Sequence, residues 1–207
     1  MRAPVLIFDF GNVISFFDYM IICDRFGKRL GLSAEEFRTL AEERGMTGLL
    51  AEFERGAMSA QEFSRETQKR VGLDIPFEDF AADWQDIFQL NDSVADLIPG
   101  LKRRGHTLVL GSNTNAIHAP FYRRRFRETL DHFDHFVYSH EVFFMKPARG
   151  FFEACARVAS APPESCLFID DIEENIEGAR AAGLTGLVYR DTPTLIAELR
   201  EHGVECP

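Results

Sequence analysis

Hydrophobic positions along the chain follow two rhythms. Five short apolar runs read as strands buried on both faces: Val5 to Phe8, Thr107 to Leu110, Phe136 to Tyr138, Cys166 to Ile169 and Gly186 to Tyr189. Between the later runs, apolar residues recur at helical spacing. Ser93 to Arg104 places Val94, Leu97, Ile98 and Leu101 on one face, and Gly150 to Ser160 does the same with Phe151, Phe152, Cys155 and Val158. Glu173 to Ala182 predicts a helix that stops at Gly183, and Thr192 before Pro193 predicts a cap followed by a first-turn proline. Strands alternating with helices predict an α/β fold built on an open, parallel, Rossmann-like sheet.

The rhythm breaks between the first and second strands, where residues 9–106 intervene. A crossover needs far less chain. Tyr19, Ile22, Phe26 and Leu30 keep helical spacing there, and Ser33 with Glu36 and Ser59 with Glu62 form two capping boxes. Gly31, Gly45, Gly56 and Gly72 punctuate the stretch. The pattern predicts an all-helical cap domain over residues 15–90, inserted into a core domain of residues 1–14 and 91–207. Inserts of this kind commonly act as lids.

Composition narrows the classes. Of 207 residues, 45% are hydrophobic, enough for a full core, and 20 are Phe. The net charge of −10 argues against nucleic acid or an acidic membrane as partner. Cys23, Cys155, Cys166 and Cys206 show no short pair spacing, so neither a zinc site nor a disulfide framework is expected. No apolar run approaches a membrane span, and the first residues do not read as a signal peptide, so a cytoplasmic location is expected.

Polar residues gather where the predicted strands end. The first run leads into Asp9, the second through Gly111 into Ser112 and Asn113, and the fourth into Asp170 and Asp171, while Lys146-Pro147 stands just ahead of a helix. Parallel strands present their carboxyl ends to one crevice, where ligands of open α/β sheets bind. Two carboxylates from different strands can hold Mg²⁺, and one can attack phosphorus. A serine hydroxyl, backbone N–H groups and a lysine ammonium can bind the remaining phosphoryl oxygens. Taken singly, Asp9, Asp170 and Asp171 read as helix caps or dipole partners, Ser112 and Asn113 as turn formers, and Lys146 as surface charge.

Asp9-Phe10-Gly11-Asn12-Val13-Ile14, Ser112-Asn113-Thr114-Asn115, Lys146-Pro147 and Asp170-Asp171 resemble, in order and spacing, the four motifs of the haloacid dehalogenase superfamily. The resemblance covers essentially the whole chain. Within the superfamily the chain resembles the small sugar-phosphate phosphatases typified by bacterial α-D-glucose-1-phosphate phosphatase. The resemblance implies a sheet order of 3-2-1-4-5 and a helical cap between the first and second motifs. It also implies Mg²⁺-dependent hydrolysis of a small phosphorylated metabolite, a sugar phosphate, through an aspartyl-phosphate. It makes Asp9 the nucleophile and a metal ligand, and makes the Gly11 carbonyl a second ligand. Ser112 and the Asn113 backbone N–H would hold the phosphoryl group, and Lys146 would neutralise its charge. Asp171 matches the direct metal ligand of the last motif, with Asp170 beside it reaching the metal through water. Asn175 matches a position where many relatives carry another acid.

Gly11 departs from the pattern. Most phosphatases of the superfamily carry there an Asp that protonates the leaving oxygen and then activates water. Such help is typically worth about 10²–10⁴-fold. Three readings stay open: a substrate with a better leaving group, replacement by another group, or a slow or inert phosphometabolite-binding protein. A 2-haloacid dehalogenase, using Asp9 on carbon without metal, is the rival enzyme class. Substrate selection is expected in the insert. Phe16, Phe17 and Asp18 follow the first motif and would line the pocket entrance, and Arg55 in the turn Phe53-Glu54-Arg55-Gly56 would meet an anion; the alternative is that Phe16 and Phe17 are core and Arg55 is a solvated charge. His118 reads as a structural histidine, and Arg123, Arg124, Arg125 and Arg127 read as a solvated face.

Overall fold

The computed structural model describes residues 3–206. Residues 1, 2 and 207, the outer ends of the expected core domain, lie outside that range. Seven strands occur among the described residues: β1 (Val5–Phe8), β2 (Ser15–Phe17), β3 (Phe88–Leu90), β4 (Leu108–Ser112), β5 (His135–Tyr138), β6 (Cys166–Asp170) and β7 (Thr185–Val188). Five form one sheet in the order β5-β4-β1-β6-β7, every pairing in it parallel. Counting only those five along the chain, this is the expected 3-2-1-4-5.

The strands are apolar throughout because both faces are covered. Leu6, Phe8, Leu108, Leu110, Leu167 and Ile169 enter one core cluster, joined by Val94, Ile98 and Leu101. The alternate residues Val5, Ile7, Val109, Cys166 and Phe168 enter a second cluster, with Phe151, Phe152 and Cys155 from the helix Arg149–Val158. Val158, expected on that buried face, ends the helix 37% exposed.

Residues 15–90 are not wholly helical. Five helices, α1 (Met20–Leu30), α2 (Ala34–Glu43), α3 (Met46–Glu54), α4 (Ala60–Val71) and α5 (Phe77–Gln85), are bracketed by β2 and β3, which pair antiparallel. The ribbon ties the two chain crossings together where they leave the sheet. Periodicity could not reveal it, because three-residue strands fall below the length at which alternation is legible. Both capping boxes form: Ser33 and Ser59 accept from the N–H of Glu36 and Glu62, whose carboxylates accept in return. Gly31, Gly45, Gly56 and Gly72 all adopt positive φ at the turns between helices. Phe26, Phe37, Phe53, Phe63, Phe80 and Trp84 fill a separate aromatic core.

Two further boundaries differ from expectation. The stretch Ser93 to Arg104 forms two helices, Asp92–Ala95 and Ile98–Arg103. Pro99, in the first turn of the second, has no N–H to continue the first. The cap of the last helix, Thr192–Glu201, is Asp191, whose carboxylate accepts from the Thr194 N–H at 2.7 Å. The Thr192 hydroxyl instead pairs with Ser93 at 2.6 Å. No helix among the described residues is long and apolar enough to cross a membrane.

Candidate active site

Strand register brings the polar residues together. Phe8 faces Leu110 on one side and Ile169 on the other, so Asp9, Ser112 and Asp170 emerge at the same sheet edge. The second strand runs two residues past the expected Leu110. Gly111 lies inside it, and a Cβ there would meet Cys155, Ile7 and Phe151 side chains, each at 3.3 Å, so a small residue suits the position. Above this edge, between sheet and helical segment, lies a crevice of about 280 Å³ lined by Asp9, Gly11, Ser112, Asn113, Lys146 and Asp171.

Lys146 organises the floor. Its Nζ lies 2.7 Å from Asp9 Oδ1 and 2.6 Å from Asp170 Oδ2, and all three side chains are at least nine-tenths buried. The Lys146 backbone is clamped by Asn113, whose Oδ1 accepts from the Lys146 N–H at 2.8 Å and whose Nδ2 donates to the Lys146 carbonyl at 3.1 Å. The Asn113 side chain thus positions the lysine, a task the sequence did not indicate. Burial alone would lower the Lys146 pKa, but the Asp9 and Asp170 carboxylates outweigh it and hold the ammonium above its ordinary range.

Asp9, Asp170 and Asp171 bring carboxylate oxygens within 4.8 Å of one another. They are not equivalent. Asp170 is fully buried and saturated: Oδ1 accepts from the Ile172 N–H and from Asn175, and Oδ2 from Lys146 and Asn175. Asp171 is half-buried and is held by one bond, Asn12 Nδ2 to its Oδ2 at 3.0 Å. Burial pushes the Asp9 carboxyl up, against the lowering pull of Lys146 and with Asp170 adding to the rise. Burial, reinforced by Asp170, also raises Asp171. Ser112 is buried at the crevice wall beside Asp9.

Two expected contacts are replaced by neighbours. Phe16 lies outside this crevice and is 47% exposed, while Phe17 lines it. Adjacent strand residues point to opposite faces, so one of the pair had to turn away. Arg55 is exposed and lies off the crevice lining, whereas Glu54 is in it. Arg55 is therefore the solvated charge of the two alternatives and not the anion contact. The phase of α3 buries Phe53 and leaves Glu54 lining the crevice.

The turn is seated on the core. Ser139 Oγ donates to the Glu54 carbonyl at 2.6 Å and accepts from the Thr114 N–H at 2.9 Å. Gly56, at φ 79°, lies so close to His140 that a Cβ would be 2.3 Å from its carbonyl oxygen. Burial pushes the Glu54 carboxyl up to about 7, opposed by a hydrogen bond from Tyr19. His118, as expected, is a satisfied structural histidine. Its Nδ1 accepts from Asn115 at 3.2 Å, its Nε2 donates to the Trp84 carbonyl at 3.1 Å, and burial lowers its pKa to about 4. Arg123, Arg124, Arg125 and Arg127 are exposed, with Arg123 stacked 3.8 Å over Phe136.

A family model described as haloacid dehalogenase-like hydrolase matches residues 4–183. The chain is 29% identical over 184 residues to D-ribitol-5-phosphate phosphatase of Bacteroides thetaiotaomicron, covering 86% of this chain and 87% of that protein. Among solved structures it is similar to a haloacid dehalogenase family enzyme of Bacteroides thetaiotaomicron in complex with magnesium and inorganic phosphate. The TM-score is 0.79 and the identity 24%, over 93% of this chain and 98% of that one. It also shares its fold with L-2-haloacid dehalogenase of Xanthobacter autotrophicus, at TM-score 0.63 and 14% identity, over 99% of this chain and 85% of that one.

Proposed function

The chain belongs to the haloacid dehalogenase-like hydrolases, and we propose that it hydrolyses a small phosphorylated metabolite, a sugar or sugar-alcohol phosphate, through an aspartyl-phosphate on Asp9. One observation carries this reading. A buried carboxylate at the head of the central strand is braced by a doubly paired lysine and stands beside Ser112 in one crevice. The relative that acts on D-ribitol 5-phosphate supports the substrate class.

The donor set fits a divalent cation. Three clustered carboxylates against one ammonium leave two negative charges, and every available ligand atom is oxygen. Asp9, Asp171 and the Gly11 carbonyl would hold Mg²⁺, which when bound supplies positive charge to the phosphoryl oxygens. Asp170, saturated by Lys146, Asn175 and the Ile172 N–H, holds the lysine in place or reaches the cation through water. Asp9 attacks phosphorus in line. Ser112 and the Asn113 N–H orient the phosphoryl oxygens, and Lys146 offsets the charge that builds on them. Phe17 and the α3 turn narrow the opening and select the leaving group's shape.

The test is phosphate release from 4-nitrophenyl phosphate, D-ribitol 5-phosphate, and hexose 1- and 6-phosphates. It is run with Mg²⁺, with EDTA, and with Asp9→Asn. Metal-dependent turnover lost in Asp9→Asn is expected. Full turnover by Asp9→Asn overturns the reading, and chloride release from 2-chloropropionate without metal moves the assignment to dehalogenation.

A further inference from the structure

The chemistry proposed above sets a proton problem. An alkoxide leaving a phosphoryl group needs a proton, and the water that later cleaves the aspartyl-phosphate must lose one. Gly11, beside the nucleophile, has no side chain, and a Cβ there would lie 2.9 Å from the Phe17 ring. That space is closed by an aromatic edge, so the proton carrier must come from elsewhere in the crevice.

The other ionisable groups lining the crevice are committed. Asp9 and Lys146 are paired, and Asp171 sits in the carboxylate cluster. Both ring nitrogens of His118 are bonded. Tyr122 is fully buried, and burial drives its phenol well above the ordinary value. Burial drives Tyr19 up as well, and its hydroxyl is turned to Glu54. Among the described lining residues, Glu54 is the carboxyl that belongs neither to the lysine pair nor to the carboxylate cluster. It lines the same crevice as Asp9, and its backbone is held by the Ser139 bond to its carbonyl and by the seating of Gly56 on His140.

We propose that Glu54, carried on the α3 turn, is the general acid and then the general base of the reaction. This inference rests on the phosphatase reading. In the first step Asp9 Oδ bonds to phosphorus while the bond from phosphorus to the ester oxygen breaks. That oxygen keeps the electron pair and takes the proton from the Glu54 carboxyl. In the second step a water in the place of the departed alcohol gives a proton to the Glu54 carboxylate as its oxygen bonds to phosphorus. The bond to Asp9 then breaks, leaving carboxylate and phosphate. The sum is ester plus water giving alcohol plus phosphate, with Glu54 restored.

Burial places the Glu54 titration near 7, suited to both steps at neutral pH. Tyr19 is the titratable group acting on it directly. Asp9, Lys146 and Asp171 face it across the crevice, and His140 and Glu141 come from the helix under the turn. Arg70 of α4 meets the opposite end of α3, at the Gly45 carbonyl.

The experiment uses the Mg²⁺-supplemented full chain, with phenyl phosphate and 4-nitrophenyl phosphate as probes. Asp9→Asn is the control for the underlying reading and Glu54→Gln tests this one. In Glu54→Gln, kcat/KM for phenyl phosphate is expected to fall about 10²–10⁴-fold. Nitrophenolate, which leaves unaided, should appear in a burst equal to the enzyme before slow turnover. The alkaline limb of the kcat/KM profile near pH 7 should vanish in Glu54→Gln and move to higher pH in Tyr19→Phe, which keeps the carboxyl and removes a bond to its anion. Equal losses on both esters without a burst, or a limb unmoved in both variants, would overturn the proposal.

Discussion

Replacing Lys146 with methionine removes the one cation among the described residues that touches Asp9 and Asp170, while keeping most of the buried stem. At separations of 2.7 and 2.6 Å, each pair contributes roughly 6 kcal/mol of attraction at an effective dielectric constant of about 20, before the lysine's own desolvation is set against it. Desolvation cancels much of that gain. What the substitution exposes is the cost of buried carboxylates left without a counter-charge, about 3–5 kcal/mol. The assay is urea denaturation in EDTA at pH 8, for Lys146→Met, Asp170→Asn and the double variant. Asparagine at 170 keeps an oxygen for the Ile172 N–H but carries no charge. The double variant should therefore recover about 1–3 kcal/mol relative to the sum of the single losses. Strictly additive losses would contradict a charge-based role for Lys146. They would mean that Lys146 contributes by packing, and that its charge is not what holds the carboxylate floor together.

Other outcomes follow from the same geometry. The Glu54 carboxyl titrates near 4.5 when unfolded and near 7 when folded, so the native state binds its proton more tightly. The stabilisation is complete below pH 4.5 and is lost as pH rises to 7, so wild type should lose up to about 3 kcal/mol over that window relative to Glu54→Gln. A parallel pH dependence in the two proteins, measured by denaturant midpoints, would contradict this. Gly56→Ala should cost about 2 kcal/mol or more, because it puts a side chain at φ 79° against the His140 carbonyl. Thermal melting checks this, and an unchanged midpoint would show that the turn is not seated as described. Ser59→Ala removes one half of a capping box and should cost about 1 kcal/mol, read by the same melt.

Much of the molecule was legible along the chain because the determinants are local. Apolar runs located all five sheet strands, since a strand buried on both faces leaves no polar alternation to confuse it. Ser33 and Ser59 announced their helices because a capping box closes within four residues. Asp9, Ser112 and Asp171 were legible as one group because chain direction puts strand ends at one edge, whereas Lys146, outside any strand, was legible only through the resemblance of Lys146-Pro147 to a family motif.

What remained hidden depends on distances between segments far apart in sequence. The β2–β3 ribbon pairs residues 15–17 with 88–90, and no three-residue pattern predicts a partner so distant. The roles of Asp170 and Asp171 separate only through depth, because one is saturated by Lys146 and Asn175 and the other meets Asn12 at the surface of the floor. Glu54 rather than Arg55 enters the crevice because the Ser139 bond and the Gly56 seat set the rotation of α3 against the core. The chain supplies the chemical groups and the local shapes. Which neighbour faces inward, and whether a carboxyl there carries its proton, is decided by burial, and burial exists only once the two parts of the fold have packed.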